Sequence, residues 1–279
     1  MTEFLSSLSQ PFMLRALIVG TVISVCAALL GVILVLKRYA LIGHGLADIG
    51  FASLSLAIAL GWSPLYVSMP IVAVASFAIM LISQKSGGNG DTAIGVVSTG
   101  ALSVGIIITY LAGGMNVDVY SYMFGSVLAM SKDDVEMSVI LSIIVLTVFV
   151  FCYHKIFAVT FDENFSKASG VTVNFYNTLI SIFTAVTVVI GVKMMGAMLI
   201  SSLIIFPSLT SMRVYKSFLS VTICSAVIAM INFIAGLIAS YVLSIPAGAS
   251  VVVANLIMFV AFIIVGNILN VIRLRKYSK

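Results

Sequence analysis

Nine runs of apolar residues leave this chain almost no alternative to crossing a membrane. They lie near 13–36, 43–61, 66–83, 92–112, 135–153, 176–193, 196–210, 217–243 and 248–271. About 20 apolar residues in a helix cross the hydrocarbon of a bilayer. Lipid offers no partner to a bare backbone, so only helices or closed barrels cross it. The polar/apolar alternation of barrel strands is absent, so every span is predicted helical. Composition agrees: 62% of the 279 residues are hydrophobic and 8% are charged, where a soluble domain carries about 25% charged. A cytosolic enzyme, a disordered chain, a coiled coil and a disulfide-framed module are excluded. The expected fold is all-α and polytopic, with about eight transmembrane helices (seven to nine) in one domain, 1–279. The run 196–210 rises only about 22 Å at helical pitch and reads as a half-span or part of a broken helix.

Charge sets the expected orientation. With Lys37 and Arg38 inside, alternation also places Lys85, Lys155, Lys167, Arg213, Lys216, Arg273, Arg275, Lys276 and Lys279 inside, leaving only Arg15, Lys132 and Lys193 elsewhere. That bias predicts an outside N-terminus, an inside C-terminus, and outside acids at Asp118, Asp133, Asp134 and Glu136. The basic tail fits anionic lipid headgroups better than nucleic acid. The opening Met-Thr-Glu-Phe lacks a basic n-region, so the first run reads as a retained helix. Cys26, Cys152 and Cys224 show no CxxC spacing and read as buried small hydrophobes. The link Ser86-Gly87-Gly88-Asn89-Gly90 is a turn and not a phosphate cradle, because no GK[ST] follows it. ATP hydrolysis, if it powers this chain, belongs to another subunit.

The most informative residues are polar groups within apolar runs. His44 and Asp48 open the second run, four apart and therefore on one helical face. An imidazole and a carboxylate so placed can share a divalent cation, or the acid can orient the imidazole. The bland reading is a buried hydrogen bond holding helices together. A headgroup role at the membrane surface is a third. Ser98, Thr99 and Ser103 can line a polar path. Asn232 and Asn255 read as interhelical glue. Lys193 reads as snorkelling or pairing with a carbonyl, and His154 as interfacial. The 14 methionines, including Met194-Met195, suit Cu(I) chemically but read as packing. No nucleophile–base set, paired-Asp or HExxH protease pattern is present.

Five stretches resemble an integral-membrane permease of the ABC-type metal uptake family, which imports zinc or manganese. They are Leu34–Arg38 with Leu41–Asp48, Val117–Leu128 around Tyr122-Met123-Phe124-Gly125, Phe161–Gly170, Lys193–Pro207, and Ile245–Ala249. Together they run in family order along nearly the whole chain. Two positions depart from the pattern. The family reads G-D-x-L-[AS]-H, whereas here Gly43-His44-Gly45-Leu46-Ala47-Asp48 exchanges acid and imidazole. Zinc-importing members often carry a His in the fourth span, where this chain has Ser98-Thr99-Gly100. Zinc and manganese both stay open.

The resemblance implies a homodimeric permease subunit in the cell membrane, not itself an enzyme. A cytoplasmic ATP-binding subunit would drive it, and an extracellular metal-binding lipoprotein or periplasmic protein would deliver the cation. It carries no cofactor of its own. His44 and Asp48 become the metal-handling residues, and Asp162, Glu163, Phe165, Ala168 and Gly170 the ATPase-coupling segment. Residue chemistry supports the segment separately: acids open a short helix from Asp162 to Ala168, and Gly170 can cap it. Two rival readings remain: a proton-coupled carrier in which Asp48 titrates, and a non-transporting scaffold.

Overall fold

The computed structural model describes residues 11–85, 90–113 and 132–277. Residues 86–89 of the Gly-rich link, the Val117–Leu128 block with Asp118, and Ser278-Lys279 lie outside them. The described residues form ten helices: α1 Pro11–Leu36, α2 Ala40–Ala59, α3 Pro64–Lys85, α4 Gly90–Gly113, α5 Lys132–Phe161, α6 Glu163–Ala168, α7 Val173–Met195, α8 Ala197–Val214, α9 Phe218–Leu243 and α10 Ala247–Tyr277. All but the six-residue α6 are long and apolar enough to cross a membrane, which makes nine candidate spans among the described residues. That count falls within the expected seven to nine.

The short run becomes a full helix. Residues 196–210 extend to the 18-residue α8, and the break from α7 is one residue, Gly196, at φ 91°. L side chains disfavour that conformation, so glycine lets two helices turn sharply without a loop. Gly191 lies against Ile200 across the turn, so α8 folds back on α7.

Cross-helix contacts fix the directions. Gly45 faces Ile94 and Ser98, while Gly105 faces Phe51 and Ala52, so α2 and α4 run parallel. Gly20 abuts Phe233, and Ser225 reaches toward the Ala28 carbonyl, so α1 and α9 are antiparallel. One end of the bundle collects Lys37, Arg38, Lys155, Lys167, Arg213 and Lys216. The other carries Lys132, Asp133, Asp134 and Glu136. Aromatics mark both ends, Trp62 and Tyr66 at the acidic one and Phe157, Phe161 and Phe218 at the basic one. That is the belt expected at membrane–water interfaces.

Helices α1, α2, α7 and α8 form the mostly buried centre, whereas α4, α5 and α10 expose most of their residues as apolar surface. Two buried asparagines are paired across helices. Asn232 on α9 donates to Asn255 on α10 at 2.8 Å, and Asn255 donates to Ser202 on α8 at 3.1 Å, the interhelical role expected of the two asparagines. The three cysteines are free.

Backbone proximity at α1 and α8 makes a prediction. A Cβ on Gly31 would sit 1.9 Å from the Ile204 carbonyl oxygen, whereas a Cβ on Gly95 meets nothing within 4 Å. Gly31→Val should lower the thermal midpoint of the solubilised protein by the equivalent of about 1–3 kcal/mol or more. Gly95→Ala should leave it unchanged or raise it slightly, since alanine favours a helix over glycine by about 1 kcal/mol. Melting curves of both variants check this.

A candidate metal-handling site on helix α2

His44 and Asp48 lie one helical turn apart near the start of α2, on the face turned toward α4 and α8. His44 Nε2 stands 3.8 Å from Asp48 Oδ2. The carboxylate is buried, with a side chain only 8% exposed, while the imidazole is 54% exposed. An intramembrane carboxylate is costly without a donor, and Ser98 of α4 donates a short hydrogen bond to that same oxygen. Of the three polar residues singled out in the fourth run, only Ser98 faces the pair. Thr99 is exposed, and Ser103 donates to the Thr99 carbonyl instead.

Ser201 of α8 completes the cluster. Its hydroxyl donates to the Ala197 carbonyl at 2.8 Å and lies 3.3 Å from His44 Nδ1. With its proton committed to Ala197, Ser201 accepts from Nδ1–H. That bond fixes the ring orientation and turns Nε2 toward Asp48. Tetrahedral zinc bonds nitrogen and oxygen at about 2.0–2.2 Å, which separates the two ligand atoms by about 3.4 Å. The observed gap between Nε2 and Oδ2 is therefore a few tenths of an ångström wider than a shared cation requires. Among the described residues no group of three or more His, Cys, Asp or Glu side chains converges, so one copy offers two strong ligands and two hydroxyls. Nothing in the residue pattern singles out Ser201, which sits within the Ala197–Leu203 stretch of small and apolar residues.

The other predicted segment lies apart, at the basic end. Asp162 caps α6, accepting from the Phe165 amide at 2.9 Å. Gly170 follows at φ 78°, and the Gly170 and Val171 amides close the helix end onto Lys167 and Ser166. The predicted short helix and its glycine stop are therefore present. Phe165 and Ala168 face outward, Phe165 at 66% exposure. Glu163 faces inward to Lys37, which donates to it at 2.7 Å.

Lys193 differs from expectation. It neither snorkels nor settles on a carbonyl, but pairs with Asp134 of α5 at 2.5 Å. The reason is register: α5 begins at the acidic end, where its first turn comes level with the last turn of α7. The pair lines an open vestibule with Ser63, Tyr66, Asp133 and Glu136.

The ABC 3 transport family profile matches residues 9–266. The chain belongs to that family. It is 28% identical to the high-affinity zinc uptake system membrane protein ZnuB of Haemophilus influenzae, covering 88% of this chain and 94% of that one. It is 26% identical to the manganese transport system membrane protein MntC of Listeria monocytogenes, covering 93% of each. The fold of PsaBC from Streptococcus pneumoniae, solved with a Fab, superposes with a TM-score of 0.84 at 26% identity, over 94% of each chain. The resemblance read from the five stretches is borne out, and the chain is a multi-pass permease of the cell membrane.

The Glu163 carboxyl supplies a pH test. Burial raises its pKa, but hydrogen bonds from Lys37 and Asn177 and the charges of Lys37 and Lys167 outweigh burial and hold it below the ordinary carboxylate range. A depressed carboxylate contributes stability that is complete above the unfolded pKa, about 4.3, and is lost as pH falls through the folded value. The stability difference between wild type and Glu163→Gln should therefore be flat from neutral pH down to about 5 and shrink in more acidic buffer. Melting both proteins across that range checks the sign.

Proposed function

We propose that this chain is the membrane-spanning subunit of an ATP-driven importer of divalent metal ions, zinc or manganese. The observation that carries the reading is the His44–Asp48 pair, with an imidazole nitrogen facing a buried carboxylate across 3.8 Å. Imidazole and carboxylate together suit borderline divalent cations. The names of the relatives support the substrate class, one being named for zinc and another for manganese.

The subunit works as a homodimer. Structural zinc takes four ligands, and one copy brings two strong ones. His44 is half-exposed one turn inside an apolar bundle, so a second copy facing it would both cover the imidazole and double the ligand set. ATP hydrolysis resides on a cytoplasmic partner that docks at the basic end around α6, with Asp162 and Gly170 fixing the helix, Glu163 anchoring it, and Phe165 and Ala168 presented outward. An extracellular metal-binding protein delivers the cation to the acidic end.

Orientation is tested by fusion. A reporter after Lys279 should read cytoplasm, and one inserted near Asn116 should read outside. A C-terminal fusion that reads outside would overturn the assignment of the two ends.

Transport is tested by uptake of zinc and of manganese, normalised to membrane protein. Asp48→Ala should cut uptake per molecule by roughly tenfold or more while the subunit stays inserted and bound to its ATPase. The double exchange His44→Asp with Asp48→His keeps both ligands on one face and should retain far more uptake than either alanine variant, with a shifted zinc-to-manganese ratio. The proton-coupled alternative predicts uptake that persists without the ATPase and collapses with the proton gradient. The scaffold alternative predicts alanine variants that lose abundance and not uptake per molecule.

A further inference from the structure

Three segments distant in sequence meet at the basic end around one amine. Lys37 Nζ donates to Glu163 Oε1 at 2.7 Å and to Asn177 Oδ1 at 2.8 Å, and Asn177 Nδ2 donates to the same Glu163 oxygen at 3.1 Å. The three side chains form a closed ring. Lys37 belongs to the link between α1 and α2, Glu163 to the first turn of α6, and Asn177 to α7. The Lys37 side chain is only 8% exposed, so these partners take the place of water around its amine. Five of the six α6 residues are otherwise exposed or half-exposed, and only Ser166 is buried. Among the described residues, the ring is the side-chain polar connection that ties α6 to the body of the bundle.

The Lys37 end of the ring is stiff. Tyr39 N–H donates to the Leu34 carbonyl at 2.6 Å and Arg38 N–H to the Val35 carbonyl at 3.1 Å, with Arg38 at φ 62°. This is the paired hydrogen-bond pattern of a Schellman turn, with arginine in the left-handed position that glycine usually takes. Non-glycine residues persist there only where their surroundings hold them. Helix α2 starts two residues later at Ala40 and reaches His44 within its first two turns. A displacement of the amine is therefore handed to the helix that carries the pair, with no flexible loop to absorb it. Beside the ring lies a water-sized cavity lined by Lys37, Tyr39, Ile42, Ser76 and Thr184.

We propose that Lys37 is a positioning residue that clasps the ATPase-facing helix α6 to the metal-handling helix α2, so that movement of the partner subunit at α6 re-aims His44 and Asp48. The proposal rests on the import reading. It differs from a docking role, because the clasp is turned inward, away from the exposed Phe165 face.

The test uses the permease assembled with its own ATPase in liposomes, measuring metal uptake, ATP hydrolysis and subunit association together. Lys37→Met keeps the length and apolar stem of the side chain and removes the charge. It should keep association and ATP hydrolysis while lowering ions moved per ATP by roughly threefold to thirtyfold. Glu163→Gln, which keeps the shape and an acceptor oxygen, should show a smaller loss in the same ratio. The exchange Lys37→Glu with Glu163→Lys restores the pair, with Asn177 able to turn its amide to suit, and should recover coupling. A merely structural clasp predicts uptake and hydrolysis falling in parallel, and that result would overturn the proposal. So would an unchanged ratio in Lys37→Met, or an exchange variant no better than the single ones. A wild-type complex that moves no cation would sink the import reading and the clasp with it, whereas wild-type uptake with an unaffected Lys37→Met would sink the clasp alone.

Discussion

Helix α2 can hold a carboxylate inside the bundle only because its neighbours come within touching distance of its backbone. Gly45 lies under Ile94 and Ser98, Gly43 under Ile204, and Gly50 beside Val188 and Val192. Without a hydrophobic drive between helices in lipid, association relies on close packing and interhelical hydrogen bonds. Small residues on α2 supply the first, and Ser98 and Ser201 supply the second at the two site residues. A Cβ at Gly45 would sit 2.9 Å from the Ile94 side chain, so a larger residue there requires Ile94 to give way beside the site. The site thus depends on backbone approach as much as on the residues that give it chemistry.

The same reasoning orders the ends of the bundle. Each end holds one lysine drawn out of free solution by an acid from a distant segment: Lys37 with Glu163 at the basic end, Lys193 with Asp134 at the acidic end. Both pairs tie a central helix or its link to a more peripheral element. The His44–Asp48 pair lies on the helix that follows Lys37, and Lys193 ends the helix that packs against α2. The two ends of the bundle are therefore each closed by a charge pair. The exchanged order of acid and imidazole has a consequence in this frame. Because α2 starts at the basic end, the carboxylate is the deeper group and takes its donor from Ser98.

Much of this was legible in the residues. The apolar runs predicted every long helix, because a span has no other way to satisfy its backbone, although α5 and α10 continue eight and six residues past the ends of their runs. The 161–170 segment was readable from acids at one end and glycine at the other, since capping is local chemistry. Asn232 and Asn255 were readable as partners because lipid leaves a buried amide no alternative. What stayed hidden was non-local. The run 196–210 looked too short to span because Ser211, Met212 and Arg213 dilute its apolar signal, yet α8 continues through them. Lys193 looked solitary because its partner lies 59 positions away on another helix. Ser201 and Asn177 were invisible as site and clasp residues, since one hydroxyl or amide among many carries no mark of what it will face.

The central claim is that a divalent cation passes directly over the His44–Asp48 pair. Pulsed electron paramagnetic resonance on the assembled transporter, loaded with Mn²⁺ and halted by a hydrolysis-deficient ATPase, tests it most directly. A bound Mn²⁺ should show coupling to a directly ligated imidazole nitrogen, and the signal should vanish in His44→Ala while persisting in His154→Ala. A manganese signal without nitrogen coupling, or one indifferent to His44, would contradict the account.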